Sequence, residues 1–390
     1  MSERLTFIQA CLDRQRPIAE ICAEFGVSEK TGHKWIARFR TGGVDALADR
    51  THAPAHARFA VAPAIAARIV ILRRRHPLYG PVKLRDWLVQ HEPETRWPAA
   101  STIGELLRRE GLVRARRVRR PGATQHGATQ LLRDHPMPAD APNTVWTADF
   151  KGQFRLGSGR YCYPLTVLDL HTHFLLRCTA LDTTAVAPAR TQFQHLFREY
   201  GLPRAVRTDN GVPFAQPNAV GHLGALSYWW IRFGIRPDFI RPARPSENGA
   251  HERFHKTLKA HTAQPAADTF PAQQRRFDRF RLEYNTERPH ASTPAHRPPA
   301  TTYESSPRPY PEILPPLLYA DAQAVRKVDS TGVIKWHTTR IFLSHNLTGE
   351  FVGLYETASD RLRVSYAALT LGFFDPHTQR FIPELRWDGC

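Results

Sequence analysis

The sequence predicts a multidomain α/β protein: helical units at the amino end, a mixed sheet covered by helices in the middle, and a small antiparallel β-barrel at the carboxyl end. Three observations predict it. In the first third, apolar residues recur at helical spacing between Pro, Gly and Ser punctuation. From Asn143 the pattern changes to strands interspersed with helical runs. Beyond a Pro-rich stretch, from about Ala324, short strands with period-two alternation follow one another. At 390 residues the chain can hold roughly two to four domains and at least one sizeable core.

Composition narrows the partners. Lys and Arg total 54 against 36 Asp and Glu, a formal charge of +18, which points to a polyanion. Double-stranded DNA is the natural one, because the cations recur on short helical patterns; an Arg-rich proteome is the bland alternative. No apolar run reaches about 18 residues and the start, MSERLTF, is no signal peptide, so no membrane partner is expected. Five cysteines (Cys11, Cys22, Cys162, Cys178, Cys390) form no C-x-x-C pair. A disulfide framework and a zinc site are both unsupported, which fits a reducing cytoplasm.

Residues 1–50 read as a helix-turn-helix unit. Leu5, Ile8 and Leu12 stripe a first helix, Pro17 starts a second, and Gly26-Val27-Ser28 turns into a third with Ser28 as its cap. On that third helix Thr31, Trp35, Ile36 and Phe39 face one way, and Lys30, His33, Lys34 and Ala37 the other. A basic face of this kind suits the major groove; an ordinary bundle with basic solvent positions is the competing reading. A Pro/Ala/His linker leads to a second such unit, 64–120. Its helices run from about Ile65 to Arg75, over Val82 to Leu88, and from a Ser101 cap to Glu110, with Gly111 as the stop. Ile103, Leu106 and Leu107 form the buried side of the last, leaving Arg108 and Arg109 for DNA or for solvent if the unit only packs. The run RARRVRR at 114–120, with Arg116 and Arg117 at its centre, either lies along phosphates or is a solvated linker.

The segment 139–300 is the predicted mixed-sheet domain. Val145 to Lys151 alternates, with Asp149 on the side of Thr147 and Lys151. Two apolar strands follow, Tyr161 to Leu170 and Phe174 to Leu181, then a helix from about Ala187 to Tyr200. A short strand ends in the acid Asp209, a helix spans Ala225 to Phe233, and a strand runs from Pro237 to Arg241. Asn248 then caps a helix that carries Glu252 within about its first turn, near the positive helix end. A helical wheel puts Glu252, His255, Lys256 and Lys259 on an open face and Phe254 and Leu258 inward. One acid beside a row of cations suits a metal-dependent enzyme acting on phosphate, or is a solvated face with i,i+4 pairs.

W-T-A-D at 146–149, T-D-N-G at 208–211 and P-S-E-N-G-A-H-E-R-F-H at 245–255 resemble the three acidic motifs of the DDE transposase and integrase superfamily. Y-N-T-E-R-P-H at 284–290 is similar to the closing signature of insertion-sequence transposases whose core is like that of retroviral integrases. The resemblance implies a ribonuclease H-like core, with Asp149, Asp209 and Glu252 both catalytic and metal-binding. Glu247 stands where relatives usually carry Gln; the residue before Arg253-Phe254-His255 is the matching acid, and Glu247 precedes the cap. Asp169 is a further acid, better read as a strand-end hydrogen-bonding group.

Two divalent ions held by carboxylate oxygens, Mg²⁺ with Mn²⁺ as a substitute, suit an in-line displacement at phosphorus. Asp149 would be shared, and Lys256 and Lys259 would hold terminal phosphates. The implied activity is a transposase that binds terminal inverted repeats, cleaves element ends and joins the freed 3′-hydroxyl to target DNA. It would act in a bacterial cytoplasm or nucleoid as at least a dimer on DNA. A catalytically inactive DNA-binding regulator and a ribonuclease H-like nuclease without strand transfer are the competing functions.

Arg275 to Arg288 reads as an amphipathic helix, followed by prolines spaced as a stiff spacer. In the last segment, 320–390, strands are expected at Val325–Val328, Val333–Phe342, Phe351–Tyr355 and Leu362–Leu371, closing a small barrel that contacts DNA or protein.

Overall fold

The computed structural model describes residues 2–13, 15–49, 61–113, 136–150, 152–216, 219–240, 249–314, 316–357 and 360–389, with backbone alone at 2, 220, 249, 250 and 252. They fall into two compact units, Met1–Ala62 and Pro63–Cys390.

In the first unit α1 (Ser2–Leu12), α2 (Ile18–Glu24) and α3 (Glu29–Gly42) surround Phe7, Ile8, Ile21, Cys22 and Leu47. The expected cap forms: the Ser28 hydroxyl accepts from Thr31 N–H at 3.3 Å. Gly32 is buried where α3 crosses its neighbours. A Cβ there would sit 2.5 Å from Cys22 Sγ and 2.9 Å from Phe7 Cζ, so only glycine permits this approach.

The second unit begins with α4 (Pro63–Arg75), α5 (Pro81–His91) and α6 (Ala100–Arg109), packed around Tyr79, Leu84, Leu88, Ile103 and Leu107. Pro81 opens α5 at a position where its missing N–H is harmless. α6 begins one residue before the expected Ser101 cap, and no side chain caps it.

The central sheet is built from β1 (Val145–Phe150), β2 (Phe154–Arg155), β3 (Tyr161–Asp169), β4 (Leu175–Leu181), β5 (Ala205–Thr208) and β6 (Arg236–Phe239). β3 pairs antiparallel with β1, β2 and β4, whereas β5 runs parallel to both β1 and β6. Alternation sends Trp146, Ala148, Leu165 and Val167 to one face, under α7 (Val186–Tyr200) and α8 (Ala225–Arg232). On the other face Cys162, Leu175 and Cys178 meet Phe254 and Leu258 of α9 (Gly249–Thr262) and Phe277, Phe280 and Tyr284 of α10 (Phe270–Thr286). This is a mixed sheet between two helical layers, as expected.

The Pro-rich segment departs from a free spacer. Tyr303 and Tyr310 pack on the α7/α8 core. Arg308 donates to the carbonyls of Pro203 (2.6 Å) and Phe233 (2.8 Å), strapping the segment to the domain.

Among the described residues the carboxyl end forms no closed barrel. β7 (Ala324–Lys327), β10 (Phe351–Glu356), β11 (Leu362–Tyr366), β12 (Leu369–Asp375) and β13 (Arg380–Trp387) form an open antiparallel sheet in the order β13-β12-β11-β10-β7. β8 (Val333–Trp336) and β9 (Thr339–Phe342) make a separate hairpin. The open sheet hides its apolar face against the central domain instead of curling on itself. Val352, Leu354, Val364 and Leu371 share one core with Ala215, Leu223, Tyr228, Ile231 and Phe239.

Candidate active site

The parallel pairing of β1 with β5 sets the geometry. Val145 lies opposite Ala205, Trp146 opposite Val206 and Thr147 opposite Arg207, an offset of sixty residues. The same offset of sixty relates Asp149, near the end of β1, to Asp209, the first residue past β5. Alternation turns the Asp149 carboxylate to the α9 side, because Trp146 and Ala148 occupy the opposite face.

Asp149 is half-buried. A buried hydroxyl, Thr166 of β3, donates to its carbonyl at 3.1 Å and meets Nε2 of both His251 and His255 at 2.8 Å. His251 Nδ1 is 3.1 Å from Thr147 Oγ1, and His255 Nδ1 is 3.6 Å from Asp149 Oδ2. Burial holds the His251 imidazole neutral, its pKa pushed down to about 3. Asp149, His251 and His255 each bring a ligand atom within 4.8 Å of the others, so the pocket behind β1 suits a cation.

Asp209 follows β5. Its carboxylate accepts from Gly211 N–H at 3.1 Å, but burial outweighs that bond and raises its pKa. A buried carboxylate so perturbed favours a neutralising cation, and oxygen donors select hard divalent ions. Glu252 lies in the first turn of α9, one residue after His251 and three before His255; Glu247 and Asn248 lie outside the described residues.

The expected face of α9 needs correction. His255 is not on the open side with the lysines: it is 8 % exposed and shares the buried stripe with His251, Phe254 and Leu258. Positions 251, 254, 255 and 258 repeat at i, i+3, i+4 and i+7, the spacing of one helical face. Lys256 and Lys259 are exposed as expected, beside Arg253. Sequence reasoning missed His251 and Thr166; the four-residue spacing of His251 and His255 was the available signal. Asp169 is fully buried and accepts from Asn143 N, Thr172 N and Thr172 Oγ1, each at 2.7 Å, a strand-end clasp.

Lys30, His33 and Lys34 are exposed on α3, and Arg108 and Arg109 on α6, where Arg108 pairs with Glu105. Arg116 and Arg117 lie outside the described residues. The second helical unit is docked on the end of α10. His76 Nδ1 lies 3.1 Å from Glu283 Oε1, His296 Nδ1 lies 2.9 Å from Asp86, and the Arg288 guanidinium is 5.2 Å from the Tyr79 ring centre.

Residues 139–245 and 233–298 match the integrase core domain family. Residues 3–55 match a helix-turn-helix domain and 31–107 a homeodomain-like domain. The integrase-core matches together span residues 139–298, downstream of the helix-turn-helix match, and Asp149, Asp209 and Glu252 all fall inside them. An uncharacterized 39.2 kDa protein of insertion element IS476 from Xanthomonas euvesicatoria is 28% identical over 230 residues, 59% of this chain. The match spans 62% of that relative's length. The Pol polyprotein of feline endogenous virus ECE1 is 25% identical over 34% of this chain and 12% of its own. Among solved structures, the simian T-cell lymphotropic virus intasome is similar at a TM-score of 0.38 and 14% identity, over 83% of this chain and 99% of that one. Among the described residues no helix is long and apolar enough to cross a membrane.

Proposed function

We propose that this chain is a DNA transposase that binds the terminal inverted repeats of its element, hydrolyses the element ends and joins the freed 3′-hydroxyl to target DNA. The observation that carries the reading is the parallel pairing of β1 with β5, whose offset of sixty relates Asp149 near the end of one strand to Asp209 just past the other. Position 252 lies one helical turn before His255, the residue of α9 beside Asp149, which supports Glu252 as the third acid.

Asp149, Asp209 and Glu252 would hold two Mg²⁺ ions, or Mn²⁺ in their place. Bound there, divalent ions neutralise charge on the scissile phosphate and lower the pKa of water. The chain's own contribution is to orient and to exclude. Thr166 fixes the backbone of Asp149, His255 Nδ1 lies beside its carboxylate, and the Gly211 N–H fixes Asp209. Lys256 and Lys259 of α9, with Arg253, offer cations to the DNA backbone. Lys30, His33 and Lys34 of α3 and Arg108 and Arg109 of α6 read or grip the repeats, with Arg116 and Arg117 on intervening phosphates. Two element ends are held together by at least two copies of the chain.

The test is nicking of a duplex carrying the flanking inverted repeats, with Mg²⁺, by the native chain and by Asp209→Asn. Cleavage by the native chain, lost in the variant while repeat binding is kept, supports the transposase. Binding without cleavage by either protein sinks it in favour of a regulator.

A further inference from the structure

A second concavity of about 550 Å³ opens where the second helical unit, α9 and the end of α10 meet. Three basic side chains line it, each from a different element: Lys83 of α5, Arg253 of α9 and Arg288 just after α10. His173 and His290 add two imidazoles, stacked with ring centres 4.5 Å apart. Among the described residues no carboxylate lies within ion-pairing distance of Lys83, Arg253 or Arg288. The one acid in the wall, Asp169, already accepts three hydrogen bonds. Lys83 donates to the Pro289 carbonyl, so its ammonium is anchored inside the pocket. Burial, and then Arg288, push its pKa down to about 8, against a smaller upward pull from Asp86.

Like charges gathered in a partly enclosed space without a counter-ion are unfavourable, and an oxyanion relieves them. Bidentate guanidinium donors and a point-like ammonium together match a phosphate. The floor is formed by Thr147 and His251, the residues joined to Asp149 through the Thr166 network. In a helix-turn-helix pair the first helix crosses the DNA backbone, and here that helix, α5, supplies Lys83.

We propose that this pocket seats a backbone phosphate of bound DNA, so that one phosphodiester is held jointly by the second helical unit and the catalytic domain. Naming DNA as the polyanion rests on the transposase reading; the oxyanion chemistry does not.

The test measures how the affinity of the full chain for a random-sequence duplex falls with salt, in EDTA, so it stands whether or not the chain cleaves element ends. Each phosphate contact contributes about 0.9 to the slope of log K against log salt. Arg253→Gln combined with Lys83→Gln is expected to lower that slope by about 1 and the affinity about tenfold. Arg253→Lys should retain the slope, and Arg160→Gln, away from the pocket, should leave it unchanged. Arg253→Gln alone, at an exposed position, should move it the same way, which separates lost contact from misfolding. An unchanged slope in both Gln variants overturns the proposal. So does calorimetric binding of inorganic phosphate with an unchanged DNA slope, which would make this a site for free phosphate.

Discussion

Thr166→Val probes the hydroxyl behind Asp149 with almost no change of shape. Thr166 is fully buried, and its single proton goes to the Asp149 carbonyl at 3.1 Å. That leaves its lone pairs to accept from Nε2 of His251 and His255 at 2.8 Å, so both imidazoles carry their proton on Nε2. Valine removes all three bonds and supplies nothing in return. Orphaning a buried polar group costs about 1–3 kcal/mol, and counting only the two imidazoles the expected loss is roughly 2–6 kcal/mol. Thr166→Ser keeps the hydroxyl and loses a methyl, for about 1 kcal/mol. Urea unfolding followed by tryptophan fluorescence reads both, because Trp146, Trp229 and Trp230 sit in the central core. Metal-dependent nicking should fall in the Val variant and largely return in the Ser variant. A Val variant as stable as the Ser variant would refute the hydroxyl's role as the hub of this network.

Three further outcomes follow from the geometry. Gly32→Ala drives a methyl into Cys22 and Phe7, and should lower the stability of the first unit by about 1–3 kcal/mol in a thermal melt. Asp209 has a folded pKa raised by burial, so its ionised form costs stability at neutral pH and that cost fades as pH falls through the folded pKa. Without metal, Asp209→Asn should therefore melt no lower than the native chain, and it should lose most of the stabilisation that Mg²⁺ gives the native protein; an equal response to Mg²⁺ would count against a cation at Asp209. Glu283 is shifted the other way: the His76 hydrogen bond lowers its pKa from 4.5. Its stabilising contribution is present above about pH 4.5 and is lost as pH falls through the depressed value. Glu283→Gln should flatten the fall in urea midpoint as pH drops below about 4.5.

The central domain was largely legible because its signals are local and redundant. Alternation in β1, the acid closing β5 and the Ser28 cap each depend on a few adjacent residues. The carboxyl end was less so. Val333–Phe342 and Leu362–Leu371 each read as one strand but fold as a hairpin, turning at His337 (φ 49°) and Ala367 (φ 48°). Neither turn has the glycine or asparagine that normally marks such a backbone, so the pattern ran on unbroken. Barrel closure failed as an expectation for a different reason: which surface covers an apolar sheet face is a tertiary fact. The burial of His255 was hidden because an imidazole reads as polar on a helical wheel, yet a hydroxyl on a strand 89 residues away accepts it.

The contact between the carboxyl sheet and the segment after Asp209 ties distant parts of the chain together. Gly221 is so close to Leu385 that an added Cβ would lie 1.7 Å from its Cδ1, and the Asn346 amide donates to Gln216 and to the Leu223 carbonyl. The segment leading away from Asp209 thus leans on the carboxyl sheet and on the turn at Asn346. A substitution at that seam, far in sequence from every acidic motif, is felt first by the loop that follows Asp209.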